Sequence, residues 1–149
     1  MNGIKSVSYD VLLVEDEPAD AHLTRITLEE NEAPCKLHHV KDGQEALEFL
    51  RRRGEPFQSA PRPHLILLDL NMPRMNGREL LQELKSDPQL ASIPVVVLTT
   101  SDSENDVDSS FQAGAAGYIV KPTGMDEFSS ALKGLEQYWF TLVRLPGKA

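Results

Sequence analysis

Five short apolar runs alternate with helical patterns along the 149 residues of the chain, and this alternation most constrains its fold. The third and fourth runs are apolar at successive positions, whereas a half-exposed strand alternates polar and apolar side chains. Strands buried on both faces are typical of parallel sheets covered by helices on two sides, so the pattern predicts an α/β protein. The runs are VLLV at 11–14, KLHHV at 36–40, HLILLDL at 64–70, PVVVLTT at 94–100 and GYIV at 117–120.

Spacings of three residues between a capping residue and an acid predict where helices begin. These pairs are Asp42 with Glu45, Asn76 with Glu79, Ser101 with Glu104 and Thr123 with Asp126. The last helix has the clearest apolar stripe and is predicted to continue to about residue 140. RGEPFQSAPRP at 53–63 contains three prolines and predicts a non-helical loop.

Composition and charge exclude several classes of protein. The formal net charge of −8 argues against nucleic acid and anionic membranes as partners, and Arg51–Arg53 is predicted to be a solvated helix end. The single cysteine, Cys35, excludes an intramolecular disulfide. The N-terminus lacks the apolar core of a signal peptide, and no apolar run approaches the roughly 18 residues of a membrane span. We therefore expect a cytoplasmic protein of one domain.

Carboxylates follow the first and third predicted strands. We assume the doubly wound, flavodoxin-like order 2-1-3-4-5 with five helices, in which these two strands are neighbours. Glu15, Asp16 and Asp69 then converge at the carboxyl edge of the sheet, where their repulsion raises their pKa values unless a cation is bound. Mg²⁺ prefers oxygen ligands, and Mn²⁺ can substitute for it.

The expected metal ligands are Asp16 and Asp69 directly, Glu15 through water, and the backbone carbonyl of Asn71. A structural alternative is that Asp16 caps the first helix, because Pro18 suits its first turn. The two roles do not exclude each other.

Two further polar residues are expected at the same edge. Lys121 follows the fifth strand, so its ammonium is expected to reach a phosphoryl oxygen on Asp69, and Thr99 ends the fourth strand with a hydroxyl. The alternatives are a solvated lysine at a strand end and a β-branched residue chosen for its strand propensity.

Four stretches together resemble the receiver domain of two-component response regulators in order and spacing, and the resemblance covers residues 9–140. They are VLLVEDEPAD, LILLDLNMPRMNG, VVVLTTS and GYIVKP. The resemblance implies that Asp69 is the phosphoacceptor and that Glu15 and Asp16 are the acids of the metal site. It also implies that Thr99 is the switch hydroxyl and that Lys121 is the partner of the phosphoryl group.

Three other residues gain expectations from the resemblance. Tyr118 matches the aromatic switch residue of the family, although a tyrosine at a sheet edge can simply pack its ring and keep its hydroxyl wet. The bond before Pro122 is expected to be cis. Thr100 stands where many members carry alanine, and its bulk is expected to slow access to the phosphorylated site.

The loop RGEPFQSAPRPHLILLDL, the LTTS run and the ending LEQYWFTLVRLP resemble the small stand-alone regulators paired with phytochrome histidine kinases. This implies a sensor histidine kinase, of the light-sensing phytochrome type, as partner.

The expected organisation is an extension at 1–8, the receiver at 9–140 and a tail at 141–149, with no output domain. Either a second copy covers the apolar residues near the tail, giving a homodimer, or the tail folds back on its own domain. The dimer candidates are Tyr138, Trp139, Phe140 and Leu142.

The expected function is signalling rather than catalysis: Asp69 accepts a phosphoryl group from a kinase phosphohistidine, and water later removes it. A haloacid-dehalogenase-like phosphatase needs a second acid two residues after its nucleophile, where this chain has Asn71. A flavodoxin-like flavin binder needs a Ser/Thr/Gly-rich loop after the first strand, where this chain has the acidic EDEPAD. A third alternative is a docking scaffold that works without phosphorylation, which the complete set of site residues argues against.

Overall fold

A computed structural model describes residues 9–29, 35–72, 74–142 and 145–146, with the backbone alone at 141–142. The strands are β1 (Tyr9–Val14), β2 (Cys35–Val40), β3 (Leu65–Leu68), β4 (Val95–Thr99) and β5 (Gly117–Val120). The helices are α1 (Pro18–Glu29), α2 (Gly43–Leu50), α3 (Gly77–Ser86), α4 (Glu104–Gln112) and α5 (Met125–Gln137). The loop predicted to be non-helical contains one 3₁₀ turn, at Glu55–Phe57. This turn forms because Pro56 suits the first turn of a helix.

The five strands form one parallel sheet in the order β2-β1-β3-β4-β5, which confirms the predicted topology. Every residue of β3 and β4 is buried, and this explains why their sequences show no alternation of polar and apolar side chains. Since all strands are parallel, their carboxyl ends lie at one edge of the sheet, which the loops after β1, β3, β4 and β5 line.

Two apolar cores cover the two faces of the sheet. Alternate residues of β1 and β3, such as Leu12 and Ile66, pack on one face with the apolar sides of α2 and α3. The residues between them, such as Val11 and Leu65, pack on the other face with α1 and α5. Burying each such aliphatic side chain stabilises the fold by roughly 1.5–3 kcal/mol, so the sheet is held rigidly beneath its carboxyl edge.

Two of the predicted helix starts are confirmed. Asn76 and Glu79 form a complete capping box before α3, in which each side chain accepts a hydrogen bond from the backbone of the other. Asp42 caps α2 by accepting a hydrogen bond from the Glu45 N–H. Both caps satisfy N–H groups that the first helical turn leaves without a partner.

The other two predicted helix starts are wrong. The N-cap of α4 is Ser103, which accepts from the Asp106 N–H, because a second Ser-to-acid spacing of three lies two residues beyond the predicted one. Helix α5 begins after Gly124 without a side-chain cap, since the Gly124 carbonyl already accepts from the Phe128 N–H. Capping patterns therefore placed these helices to within a few residues.

The end of α5 turns back onto its own domain. After α5 a π-helical turn spans Tyr138–Leu142, and the buried Phe140 ring stacks on Tyr9 with a centroid distance of 4.6 Å. The Tyr9 hydroxyl donates to the Phe140 carbonyl, and Leu145 is also buried. Phe140 therefore packs on its own domain, as the fold-back alternative expected, because Tyr9 at the start of β1 offers it an aromatic surface within the same chain. The side chain of Leu142 lies outside the described residues.

Within the described ranges, no helix combines the length and the apolar character needed to cross a membrane.

Candidate functional site

Three carboxylates meet at the carboxyl edge of the sheet. Glu15 and Asp16 follow β1, and Asp69 follows β3 and continues its pairing by donating its N–H to the Val14 carbonyl. One carboxylate oxygen from each acid lies within 4.8 Å of the others, as the strand order predicted. Glu15 and Asp69 are buried, whereas Asp16 is exposed. We refer to Glu15, Asp16 and Asp69 as the acidic cluster.

Helix α3 packs closely against the backbone that carries Asp69. A Cβ atom at Gly77 would lie 2.3 Å from the Asp69 carbonyl oxygen, so only glycine fits without moving the chain. The Gly77 N–H donates to the Leu70 carbonyl over 3.0 Å. The Asn71 N–H, in turn, donates to Asp69 Oδ1 over 3.3 Å. These contacts set the direction in which the Asp69 carboxylate leaves the sheet.

A second contact holds the loop after Asp69. Arg74 has a left-handed φ of 57° and donates two hydrogen bonds to the buried Asp42 carboxylate, over 2.8 and 3.2 Å. Burial alone would raise the pKa of Asp42, but the hydrogen bonds from Arg74 and the Glu45 N–H lower it. The sequence predicts Asp42 only as a helix cap, since no local pattern relates it to Arg74.

Lys121 brings one ammonium group to the acidic cluster. Its side chain is 4% exposed, and Nζ lies 2.5 Å from Glu15 Oε1 and 3.5 Å from Asp69 Oδ2. A third partner, Asp20 of α1, lies 2.9 Å away and was absent from the predicted site. The signal in the sequence that could have placed Asp20 at the site is its position in the first turn of α1, because this helix follows Asp16 and begins at the same sheet edge.

The expected cis bond before Pro122 is wrong. All described peptide bonds are trans, including the one that joins Lys121 to Pro122. The trans isomer is the intrinsically favoured one even before proline. In this isomer the Lys121 N–H donates to the Thr99 carbonyl over 2.7 Å, so the chain reaches the site without a cis bond.

Burial and pairing act against each other within the acidic cluster. Burial raises the pKa of Glu15, and although Lys121 opposes this, the charge of Asp69 adds to it and the value reaches about 7. Burial alone would lower the pKa of Lys121, but hydrogen bonds to Glu15 and Asp20 and the surrounding negative charge raise it to about 12. The ammonium therefore stays charged at neutral pH while Glu15 is partly protonated.

Metal-free protein is expected to lose stability as the pH rises from about 5.5 to about 8, on the order of 2 kcal/mol. The folded pKa of Glu15, about 7, lies above its ordinary value of 4.5, so the folded state binds more protons in this range. The stabilisation is complete below the unfolded pKa and is lost as the pH rises through the folded one. Urea unfolding in a chelating buffer measures the effect.

The matched control is Glu15→Gln, whose amide does not titrate. This variant should show a flat dependence over the same range, because Asp42 and Asp106 have lowered pKa values and act at more acidic pH. Equal slopes in the two proteins would remove Glu15 as the cause.

The Thr99 hydroxyl is fully buried and has no hydrogen-bond partner among the described residues, which is unusual because buried hydroxyls are nearly always paired. It lies at the end of β4, at the same sheet edge as Asp69, and is available to a group bound there. Thr100 follows it and is exposed. A buried, unpaired hydroxyl favours a binding role over mere strand propensity.

Tyr118 links β5 to the loop after β4. Its ring packs against the core, and its hydroxyl donates to the Ser101 carbonyl over 2.9 Å. The Ser101 hydroxyl donates to Asp106, which also accepts a hydrogen bond from Arg78 of α3. The loop that follows Thr99 is thus tied to both α3 and β5.

The donor set suits a small, hard divalent cation. Three carboxylates with one nearby ammonium retain negative charge, and the exposed Asp16 opens the cluster to solvent. Glu17 precedes α1, and its side chain accepts from the Ala19 N–H, so Asp16 is not the cap of this helix. Asp16 is therefore free of a capping role and available to a cation.

Comparison with known proteins agrees with this geometry. A family model described as the response regulator receiver domain matches residues 11–133. The response regulator Rcp1 of Synechocystis sp. is 42% identical over 136 residues, covering 91% of this chain and 92% of Rcp1. The probable methanogenesis regulatory protein FilR2 of Methanothrix harundinacea is 34% identical over 139 residues, covering 93% of this chain and 88% of FilR2.

Solved structures give the same result. The phosphorylated cyanobacterial phytochrome response regulator RcpA superposes with a TM-score of 0.90 at 42% identity, covering 95% of this chain and 100% of RcpA. The Mn²⁺-bound form of Rcp1 superposes with a TM-score of 0.88 at 40% identity, covering 93% of this chain and 99% of Rcp1. Since the family match spans most of the chain and these relatives are matched over nearly their whole lengths, the chain belongs to the response regulator receiver domain family.

Proposed function

We propose that Asp69 accepts a phosphoryl group from a sensor histidine kinase in a reaction that depends on Mg²⁺. The observation that carries this proposal is the convergence of Asp69 with two further carboxylates and the buried Lys121 ammonium. The unpaired Thr99 hydroxyl at the same edge supports it, because an incoming phosphoryl oxygen would satisfy that donor.

In the proposed transfer, an Asp69 carboxylate oxygen attacks the phosphorus atom of a phosphohistidine. The P–N bond breaks, its electron pair stays on the imidazole nitrogen, and an aspartyl phosphate forms. Lys121 neutralises charge on the transferred oxygens, while the close packing of Gly77 against the Asp69 backbone holds the carboxylate in place. When bound by Glu15, Asp16, Asp69 and the Asn71 carbonyl, Mg²⁺ or Mn²⁺ supplies further positive charge. Attack of water on phosphorus later releases phosphate and restores Asp69.

The phosphoryl group is proposed to act on the loop after β4. It adds negative charge and acceptor oxygens, which attract the Thr99 hydroxyl. Movement of Thr99 pulls on Ser101, whose carbonyl holds the Tyr118 hydroxyl, and so shifts the surface formed by α4 and β5. The bulk of Thr100, which is exposed and follows Thr99, is proposed to slow access of water to the phosphoryl group.

The partner is proposed to be a phytochrome-type histidine kinase in the cytoplasm. The name of RcpA supports this choice, because this similar protein is a cyanobacterial phytochrome response regulator. A multiple-turnover phosphatase is disfavoured, since Asn71 replaces the second acid that protonates a leaving group. A scaffold that works unphosphorylated leaves the unpaired Thr99 hydroxyl without a purpose.

The test is incubation with Mg²⁺ and phosphoramidate, followed by intact mass measurement. We expect a gain of one phosphoryl group that requires Mg²⁺ and is absent in Asp69→Asn. Asp108→Asn, which alters an exposed acid of α4, is the matched control and should gain the group normally. The proposal is wrong if the parent protein gains nothing at any donor concentration.

We also propose that the chain forms a homodimer through the end of α5. Tyr138 is 50% exposed and meets the half-buried Trp139 edge to face, so this pair presents aromatic surface beyond the buried Phe140. Tyr138→Ala is expected to lower the dimer fraction in sedimentation velocity. Phe111→Ala is the matched control, because Phe111 is 49% exposed but lies on α4. A monomeric parent protein, or an equal loss in both variants, would contradict the choice of this surface.

A further inference from the structure

Lys121 lies nearer to a helical carboxylate than to the proposed phosphoacceptor. Its Nζ is 2.9 Å from Asp20 Oδ2 but 3.5 Å from Asp69 Oδ2, at the outer limit of a hydrogen bond. Glu15 is the third partner. An ammonium has three N–H donors and can bond all three carboxylates at once, so the position of Nζ is a compromise among them, and a movement towards one lengthens its bonds to the others.

Helix α1 holds Asp20 in place. Asp20 is the third residue of α1, where the positive end of the helix dipole stabilises a carboxylate. Its own carbonyl accepts a hydrogen bond from the Thr24 hydroxyl over 2.7 Å. The carboxylate is therefore presented to Lys121 by a packed element rather than by a loose loop.

The partners differ in how easily they release the ammonium. Glu15 is 2% exposed, so losing Lys121 would leave a buried carboxyl unpaired. The Asp20 side chain is 32% exposed, and water can replace Lys121 there at low cost. When a phosphoryl group brings negative charge to Asp69, the hydrogen bond between Lys121 and Asp20 is therefore the one that breaks most easily.

We propose that Asp20 is a positioning residue that holds the Lys121 ammonium back from Asp69 and so slows phosphoryl transfer. This inference rests on the proposed role of Asp69. In the reaction with phosphoramidate, the Asp69 oxygen forms the new O–P bond, the P–N bond breaks, and nitrogen leaves with the electron pair as ammonia. Lys121 must move towards the transferred oxygens during this step, and its bond to Asp20 opposes the movement.

The experiment compares phosphorylation rates with phosphoramidate at saturating Mg²⁺. Asp20→Asn and Asp20→Ala are expected to raise the maximal rate constant about three- to tenfold and to leave the donor concentration for half-maximal rate unchanged. Asp20→Glu keeps the charge and should keep the slow rate. Glu17→Gln is the matched control, because Glu17 lies in the same acidic segment but its side chain bonds the Ala19 N–H.

The outcomes separate this inference from the proposed function. If the parent protein takes up no phosphoryl group, the role of Asp69 fails and the inference fails with it. If the parent reacts but Asp20→Asn and Asp20→Ala are no faster, the inference alone is wrong. An equal gain in Glu17→Gln would also overturn it, because loss of any nearby negative charge would then suffice.

Discussion

Lys121→Met is expected to slow phosphorylation of Asp69 by about 10²- to 10³-fold, the effect of removing a pre-positioned donor from a developing oxyanion. Methionine keeps the length of the side chain but removes the only ammonium that the described structure places on the acidic cluster. Burial among carboxylates makes this charge more effective than one in water. The rate constant with phosphoramidate at saturating Mg²⁺ measures the effect.

The control is Lys133→Met, which removes an exposed charge from α5 and should leave the rate unchanged. Loss of Lys121 also leaves Glu15 without its partner, so circular dichroism must first show that the variant folds. Lys121→Arg keeps the positive charge but places it on a planar guanidinium group, so this variant should recover only part of the rate. A rate for Lys121→Met within a few-fold of the parent would contradict the role of Lys121.

Asp16→Asn is expected to raise the Mg²⁺ concentration for half-maximal phosphorylation by about 10- to 100-fold. Asp16 is the exposed member of the acidic cluster, so its replacement removes a carboxylate ligand with little cost to packing. The measurement is a Mg²⁺ titration of the phosphorylation rate. Glu17→Gln changes the neighbouring acid, which is outside the cluster, and should shift the titration little. Equal shifts in the two variants would assign the effect to overall charge rather than to a ligand.

The fold could be predicted because the apolar runs that form its strands are short local patterns that recur along the chain. The apolar runs of β3 and β4 lie on both faces of the sheet, so each strand carried its own signal for a buried parallel sheet. The convergence of Asp16 and Asp69 followed from the strand order, since neighbouring parallel strands end at one edge. These parts of the site needed no knowledge of side-chain positions.

The remaining parts depend on contacts between distant side chains. Asp20 meets Lys121 across a sequence separation of 101 residues, so its place at the start of α1 puts it near the site but no spacing in the chain reports its contact with Lys121. The sequence left Phe140 open between a dimer surface and its own domain, because its stacking partner, Tyr9, lies at the other end of the chain. The prediction of a cis bond before Pro122 was wrong, because the free energies of the cis and trans isomers differ by only about 0.5–1 kcal/mol in unconstrained chains.

The most direct test of the central claim is to locate the phosphoryl group itself. Borohydride reduces an aspartyl phosphate to homoserine, so peptide mass mapping after reaction with phosphoramidate and Mg²⁺ identifies the modified acid. We expect homoserine at position 69 alone, and none when Mg²⁺ is removed. Homoserine at Asp16 or Asp20 in place of Asp69, or a phosphorylated protein that yields no homoserine, would contradict it.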